Sequence, residues 1–251
     1  MRPSPLERLI ASGWARTWDG TAVPRGGAAF VRRRWEPASG PLVHLGCGTG
    51  VWLEALARAG VPAVGVDSSR ENLDTARRRL AALPAGAVPA TLVHGDMREF
   101  EAMRGLGMVL LAAPAMAALS TTEERRDTLD AVRKSLGPRG LVVVALESLP
   151  ERVRREVVEF RDPATGAPLR RATAGRWDRA LGRRLVRHAF SDGAGVPAGE
   201  AGFALADLSP EVLREDLRAA GLAERESHPG FAAGAAAGRR RRFVAVAAAR
   251  E

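Results

Sequence analysis

One cysteine, one lysine and no tyrosine stand among 251 residues. A lone Cys47 excludes a disulfide framework and a thiolate zinc site, since both need several thiols at set spacings. No cluster of histidines and carboxylates has ligand spacing either, so no metal site is expected. No uninterrupted apolar run approaches the roughly 20 residues of a membrane span, so no membrane association is expected. The opening stretch "MRPSPLERLIASGWARTWDG" carries charge and tryptophan where a secretory signal has its apolar segment, which points to a mature cytoplasmic protein. Negative charge is also short: 38 Lys and Arg against 29 Asp and Glu leave a net charge of +9. That surplus raises nucleic acid as a partner. Its arginines are scattered in "RRRW" (32–35), "RRRL" (77–80) and "GRRRRF" (238–243). With alanine abundant and lysine nearly absent, the charge reads as a G- and C-rich coding bias on solvated faces, not as a nucleic-acid surface.

What is present is an alternation of strand-like and helix-like segments over residues 41–148, the pattern of βαβ units and a mainly parallel sheet. Strands are expected at 42–45, 61–67, 90–96, 107–113 and 141–147. Between them, Leu53, Leu56 and Ala57 mark one helical face, and Leu73, Ala76 and Leu80 another. Ser68 with Glu71, and Ser120 with Glu123, have capping-box spacing. "GPRG" (137–140) is expected to break the third helix. From Glu151 the pattern changes to "DPATG" turns and half-exposed strand residues, which predicts two to four antiparallel strands. Ser209, Pro210 and Gly221 frame a last helix, residues 230–240 read as a surface loop, and 241–249 as a final strand. The fold expected is therefore α/β, Rossmann-like and doubly wound, with an antiparallel β insertion. Its domains are an N-terminal helical cap (1–40), a nucleotide-binding body (41–150 and 206–251) and a substrate lid (151–205).

The chemistry concentrates in "LVHLGCGTG" (42–50). A strand, a glycine turn and a helix present backbone amides and a positive helix end to a ligand. Dinucleotide turns read G-x-G-x-x-G; Gly46, Gly48 and Gly50 read G-x-G-x-G. Asp67 closes the second strand, where a ribose diol could receive a bidentate hydrogen bond, and Asp96 closes the third, where an adenine would lie.

These pieces, with "VGVDSS" (64–69), "VHGDMREF" (93–100) and "SLGPRGLVVVAL" (135–146), resemble the class I S-adenosylmethionine (SAM)-dependent methyltransferases. "FRDPATGAPLRR" and "LSPEVLREDLRAAGL" look like the lid and last helix of a bacterial small-molecule subgroup that includes amino-sugar N-methyltransferases. The resemblance implies SAM as cofactor. Gly46, Gly48 and Gly50 would approach its methionine end, Asp67 its ribose, Asp96 and Met97 its adenine, and Ala112 its sulfonium side. Cys47 and Ser68 lie in the same binding stretches, Cys47 as small filling. Trp18 and Arg25 would cover the carboxylate. In the lid, Trp177 and His188 are the candidates for substrate contact. The residues name no catalytic base, and His188 and His228 are kept as candidates for proton transfer.

Some positions depart from the family. His44 replaces an acid that helps hold the SAM amino group, and is expected to be a hydrogen-bonded interior residue. Gly107 replaces an Asp, and "LLAAPAMAALS" (110–120) is nearly all apolar where an acceptor pocket is often polar. Two readings stay open: an N- or O-methyltransferase of a small metabolite, such as a bacterial natural product or amino sugar, or a degenerate relative that serves as subunit of an active methyltransferase. A homodimer and a hetero-oligomer with another methyltransferase likewise both remain.

Overall fold

The computed structural model describes residues 23–100, 103–147, 156–161, 168–180, 182–232 and 242–250. A seven-stranded sheet runs in the order β10-β11-β5-β4-β1-β2-β3. Its centre is β1 (Leu42–Leu45), parallel to β2 (Ala63–Asp67) on one side and β4 (Leu106–Leu111) on the other. Beyond them lie β3 (Ala90–His94) and β5 (Leu136–Glu147), also parallel. Two antiparallel strands, β11 (Arg242–Ala249) and β10 (Leu222–His228), extend the β5 side.

Period-two alternation divides the core between the two faces of this sheet. Val43, Leu45, Val109, Leu111, Val142 and Val144 meet helices α5 (Thr122–Ser135) and α6 (Pro210–Ala219) through Leu129, Val132, Leu213 and Leu217. Leu42, Met108, Leu110 and Val143 face the other way, toward α1 (Gly27–Arg34), α2 (Val51–Arg58) and α3 (Arg70–Ala81). Helices on both faces explain why β1 and β4 are buried without a break.

A second sheet, β6-β7-β8-β9, is wholly antiparallel. It comprises Glu156–Arg161, Pro168–Asp178, Arg183–Asp192 and Pro197–Ala206. The chain thus has the expected α/β architecture, with four strands in the inserted region. A short helix, α4 (Ala115–Ala118), follows β4 and packs against β9.

Several expectations shift. The caps fall one residue later: Ser69 accepts from Asn72 N–H, and Thr121 with Glu124 forms the capping box before α5. That helix ends at Ser135, ahead of "GPRG", which lies inside β5 because the strand already begins at Leu136, its partner being Leu106. Strand β10 was not expected, because only Leu222 of its seven residues is buried. Gly107 is explained by packing: a Cβ there would lie 2.5 Å from Gly40 O and from Ser39 Oγ. Of the expected N-terminal cap, only residues 23–40 are described, with α1 as its helix.

Candidate active site

The carboxyl ends of β1 to β4 open on a cleft of about 470 Å³. It lies where the strand order reverses between β1 and β4, the position at which open α/β sheets bind ligands. Its floor is the turn after β1, where Gly46, Gly48 and Gly50 have φ of 66°, 55° and 81°. A Cβ on Gly50 would stand 2.8 Å from the Ala76 Cβ, so glycine lets α2 start directly against α3. At Gly48 a Cβ would meet nothing within 4 Å. Glycine there serves the left-handed backbone and leaves the turn open.

Asp67 ties this turn to the next unit. Its Oδ2 accepts from Gly48 N–H at 2.7 Å, and its Oδ1 from Ser69 N–H at 2.9 Å and Asn72 Nδ2 at 3.1 Å. A carboxylate has about four acceptor positions. Three are taken, which leaves capacity for about one hydroxyl instead of the bidentate pair expected. A second acceptor stands beside it: Asn72 lines the cleft, and its buried Oδ1 has no partner. Nothing in the sequence singled out Asn72; its cleft position follows from α3 starting at Arg70 and not earlier.

Asp96 caps the short 3₁₀ turn Met97–Glu99 and accepts from Arg98 N–H at 2.9 Å. The Arg98 guanidinium grips the same carboxylate, with Nε 3.0 Å from Oδ1, and reaches Glu124 Oε1 at 3.2 Å. Arg98 holds the Asp96 carboxyl below its ordinary pKa. Sequence reasoning passed over Arg98, which lines the cleft together with Asp96 and Met97.

His44 reaches the cleft from within β1 and is 2% exposed. It is interior, as expected, but its Nδ1 has no hydrogen-bond partner. Burial lowers its pKa to about 3, so the ring is neutral at physiological pH. Its ring lies 6.3 Å from that of Trp52, centroid to centroid. Cys47 is buried, and burial followed by the Asp67 charge raises its thiol pKa well above the ordinary value. Such a thiol is neither nucleophile nor ligand.

The opposite wall is apolar. Ala112, Ala113, Pro114, Ala115 and Leu119 line it from the β4–α4 connection, and Leu205 reaches it from β9 of the second sheet. Ser68 lies at the rim, beside Asp67.

Other expected site residues stand elsewhere. His188 is buried within the second sheet, its Nδ1 2.9 Å from Thr173 Oγ1, and does not line the cleft. Neither does Trp177, whose ring lies under Arg184. His228 ends β10 and is not in a loop. It contacts Glu226 at 2.9 Å, packs edge-on to Phe30 and does not line the cleft. Arg25 is exposed before α1 and does not line the cleft, and Trp18 lies outside the described residues. Among the described residues, no group of three or more His, Cys, Asp or Glu is placed to hold a metal, and no helix is long and apolar enough to cross a membrane.

Residues 42–140 match the family described as "Methyltransferase domain". The chain is similar to the dTDP-3-amino-3,4,6-trideoxy-alpha-D-glucopyranose N,N-dimethyltransferase of Streptomyces venezuelae, 34% identical over 124 residues. That match covers 49% of this chain and 49% of the relative, so it spans about half the length of the curated protein. Among solved structures, the CcbJ methyltransferase from Streptomyces caelestis aligns with a TM-score of 0.69 at 25% identity, over 93% of this chain and 92% of that one. An S-adenosylmethionine-dependent methyltransferase from Clostridium acetobutylicum aligns with a TM-score of 0.71 at 12% identity, over 96% and 98%, a likeness of fold.

Proposed function

We propose, from the match of residues 42–140 to a methyltransferase domain, that this chain is a SAM-dependent methyltransferase that transfers a methyl group from SAM to the amine of a small acceptor, an amino sugar or related natural product. The observation that carries this reading is the end of β2. There Asp67 has an acceptor position to spare and the Asn72 carbonyl has no partner, both over an open glycine turn. A buried carbonyl without a donor is costly. A ribose would supply hydroxyl donors to both residues, so the donor set fits an adenosyl cofactor.

SAM supplies an electrophilic methyl on a sulfonium. The work left to the chain is binding, orientation and exclusion of water. Asp67 and Asn72 would hold the ribose, Asp96 with Met97 the adenine, and the turn at Gly46 to Gly50 the amino-acid end. His44, neutral in its buried site, would present an imidazole nitrogen instead of a charge. The wall from Ala112 to Leu119 with Leu205 offers no proton acceptor. That favours an amine, which needs only to arrive deprotonated, over an alcohol, which needs a base. An apolar wall also disfavours the ammonium form and so keeps the lone pair available. Alignment of such a lone pair can contribute several of the roughly 7–11 kcal/mol that orientation offers. The amino-sugar N-methylation named for the Streptomyces venezuelae relative supports this choice of acceptor.

Titration calorimetry with S-adenosylhomocysteine (SAH) tests the reading. The wild-type chain is expected to bind, and Asp67→Asn to bind about 10- to 100-fold more weakly, the loss of a hydrogen bond to a charged group. A wild-type chain that takes up neither SAM nor SAH at millimolar concentration removes the proposal.

A further inference from the structure

On either side of the glycine turn stands a buried ring. His44, on β1 just ahead of the turn, and Trp52, in the first turn of α2 just behind it, both line the cleft. The buried Nδ1 of His44 has no hydrogen-bond partner. Its sheet neighbours explain why: the register sets it between Gly65 on β2 and Leu110 on β4, and neither carries a side-chain donor or acceptor. A buried polar atom in this state is costly, and nearly all find a partner. The cleft, which His44 lines, is the direction left for one. The Trp52 indole is held fast. Its ring packs on Phe231, centroids 5.1 Å apart, and on the start of α1, where a Cβ on Gly27 would lie 2.7 Å from Trp52 Cη2.

This flank of the turn has no counter-charge among the described residues. The carboxylates that line the cleft there are Asp67, at the end of β2, and Asp96, just past β3, and Asp96 is already gripped by Arg98. A neutral imidazole keeps one ring nitrogen as an acceptor. An indole attracts a cation within about 6 Å of its ring centroid, better than the other aromatic side chains do. The two rings therefore suit a small ammonium group, which can donate to the nitrogen and lie against the π system. Their position suits it too, since the turn between them is the part of the cleft assigned to the amino-acid end of the cofactor.

We propose that His44 and Trp52 form an uncharged seat for the α-ammonium of the cofactor, so that this chain reads the group through a neutral nitrogen and an aromatic ring instead of a carboxylate. The inference rests on the cofactor reading above and adds how one end of the cofactor is selected. Without an ion pair, the amino group contributes about as much as a cation–π contact, and cofactor analogues altered at that group are still accepted.

The test is calorimetry on the full chain with two probes, SAH and the SAH analogue that lacks only its α-amino group. Wild type is expected to prefer SAH by roughly 2- to 30-fold, the range of one cation–π contact. Trp52→Leu should shrink that preference toward unity by weakening SAH alone, and Trp52→Phe should restore part of it. His44→Leu should shrink it as well, and should melt no lower than wild type without ligand, because it removes a buried nitrogen that has no partner. His44→Asp puts a carboxylate in the seat and should raise the preference at least tenfold above wild type. A variant that is merely misfolded weakens both probes together, so the ratio of the two affinities separates damage to the fold from loss of the seat. A ratio that stays at the wild-type value in Trp52→Leu, His44→Leu and His44→Asp overturns the proposal. So does equal binding of the two probes by wild type, which leaves the cofactor reading standing and removes the seat alone. If neither probe binds, the cofactor reading falls and the seat with it.

Discussion

His44 shows how a single side chain can tie the cleft to the stability of the fold. Its folded pKa of about 3 lies below the free imidazole value of 6.5, and His188 is likewise lowered to about 4, by burial and then by the Arg171 charge. The unfolded chain therefore binds more protons than the native one between about pH 6.5 and 4. Stability from these two groups is complete above pH 6.5 and is lost as pH falls through that window. Fully developed, the slope is about 1.4 kcal/mol per pH unit for each histidine. Paired carboxylates add to the acid limb only below their own ordinary values near 4.5. Urea titrations at pH 7.0, 6.0 and 5.0 should thus show a falling midpoint in wild type and a shallower fall in His44→Gln. Identical pH dependence in the two proteins would mean that His44 is protonated in the native state, or does not titrate differently on unfolding. The position of His44 in the strand was legible in the sequence. Its missing hydrogen bond was not, because that depends on what β2, β4 and Trp52 bring against the ring.

Between elements, the strongest polar tie in the described residues is the buried pair joining α5 to α6. Asp216 accepts from Arg125 Nε at 2.6 Å and from Arg126 Nε at 3.0 Å, while Arg125 Nη2 donates to Thr122 Oγ1 at 3.0 Å. Arg125 also points a long 3.5 Å contact at the carbonyl of Leu119, on the acceptor wall. Asp216→Ala leaves Arg125 charged and buried, and is expected to cost roughly 3–5 kcal/mol in chemical denaturation. Arg125→Met with Asp216→Leu should recover most of that loss, since a packed apolar pair needs no counter-charge. None of this could be read from sequence, where Arg125 and Asp216 are charges on polar-looking helices 91 positions apart. Local signals fared better. The helix and strand periods placed β1 to β4 and α2, α3 and α5, and the glycine turn with Asp67 located the cleft, because each depends on neighbours within one βα unit. The one-residue errors at Ser69 and Thr121 reflect adjacent hydroxyls that compete equally for a cap. Strand β10 was hidden because it is the outermost strand, pairing only with β11, and shows almost no apolar alternation.

At the scale of the molecule, the net charge of +9 takes on a role different from the nucleic-acid partner it first suggests. Many described carboxylates already face arginines, as in Glu54 with Arg58 and Arg79, or Glu226 with Arg34. The surplus is therefore positive charge left over after pairing, a field that draws anions toward the chain and is screened within a Debye length of about 10 Å at 0.1 M salt. If the acceptor is anionic, that field raises its association rate and adds little once it is bound. Ionic strength isolates this contribution. Raising NaCl from about 0.05 to about 0.5 M should lower kcat/KM for an anionic amine several-fold and leave kcat nearly constant, because screening acts on the approach and not on the bound state. A neutral amine of similar size should show a flat profile. Should the anionic amine show the same flat profile as the neutral one, the overall charge has no part in recruiting the substrate.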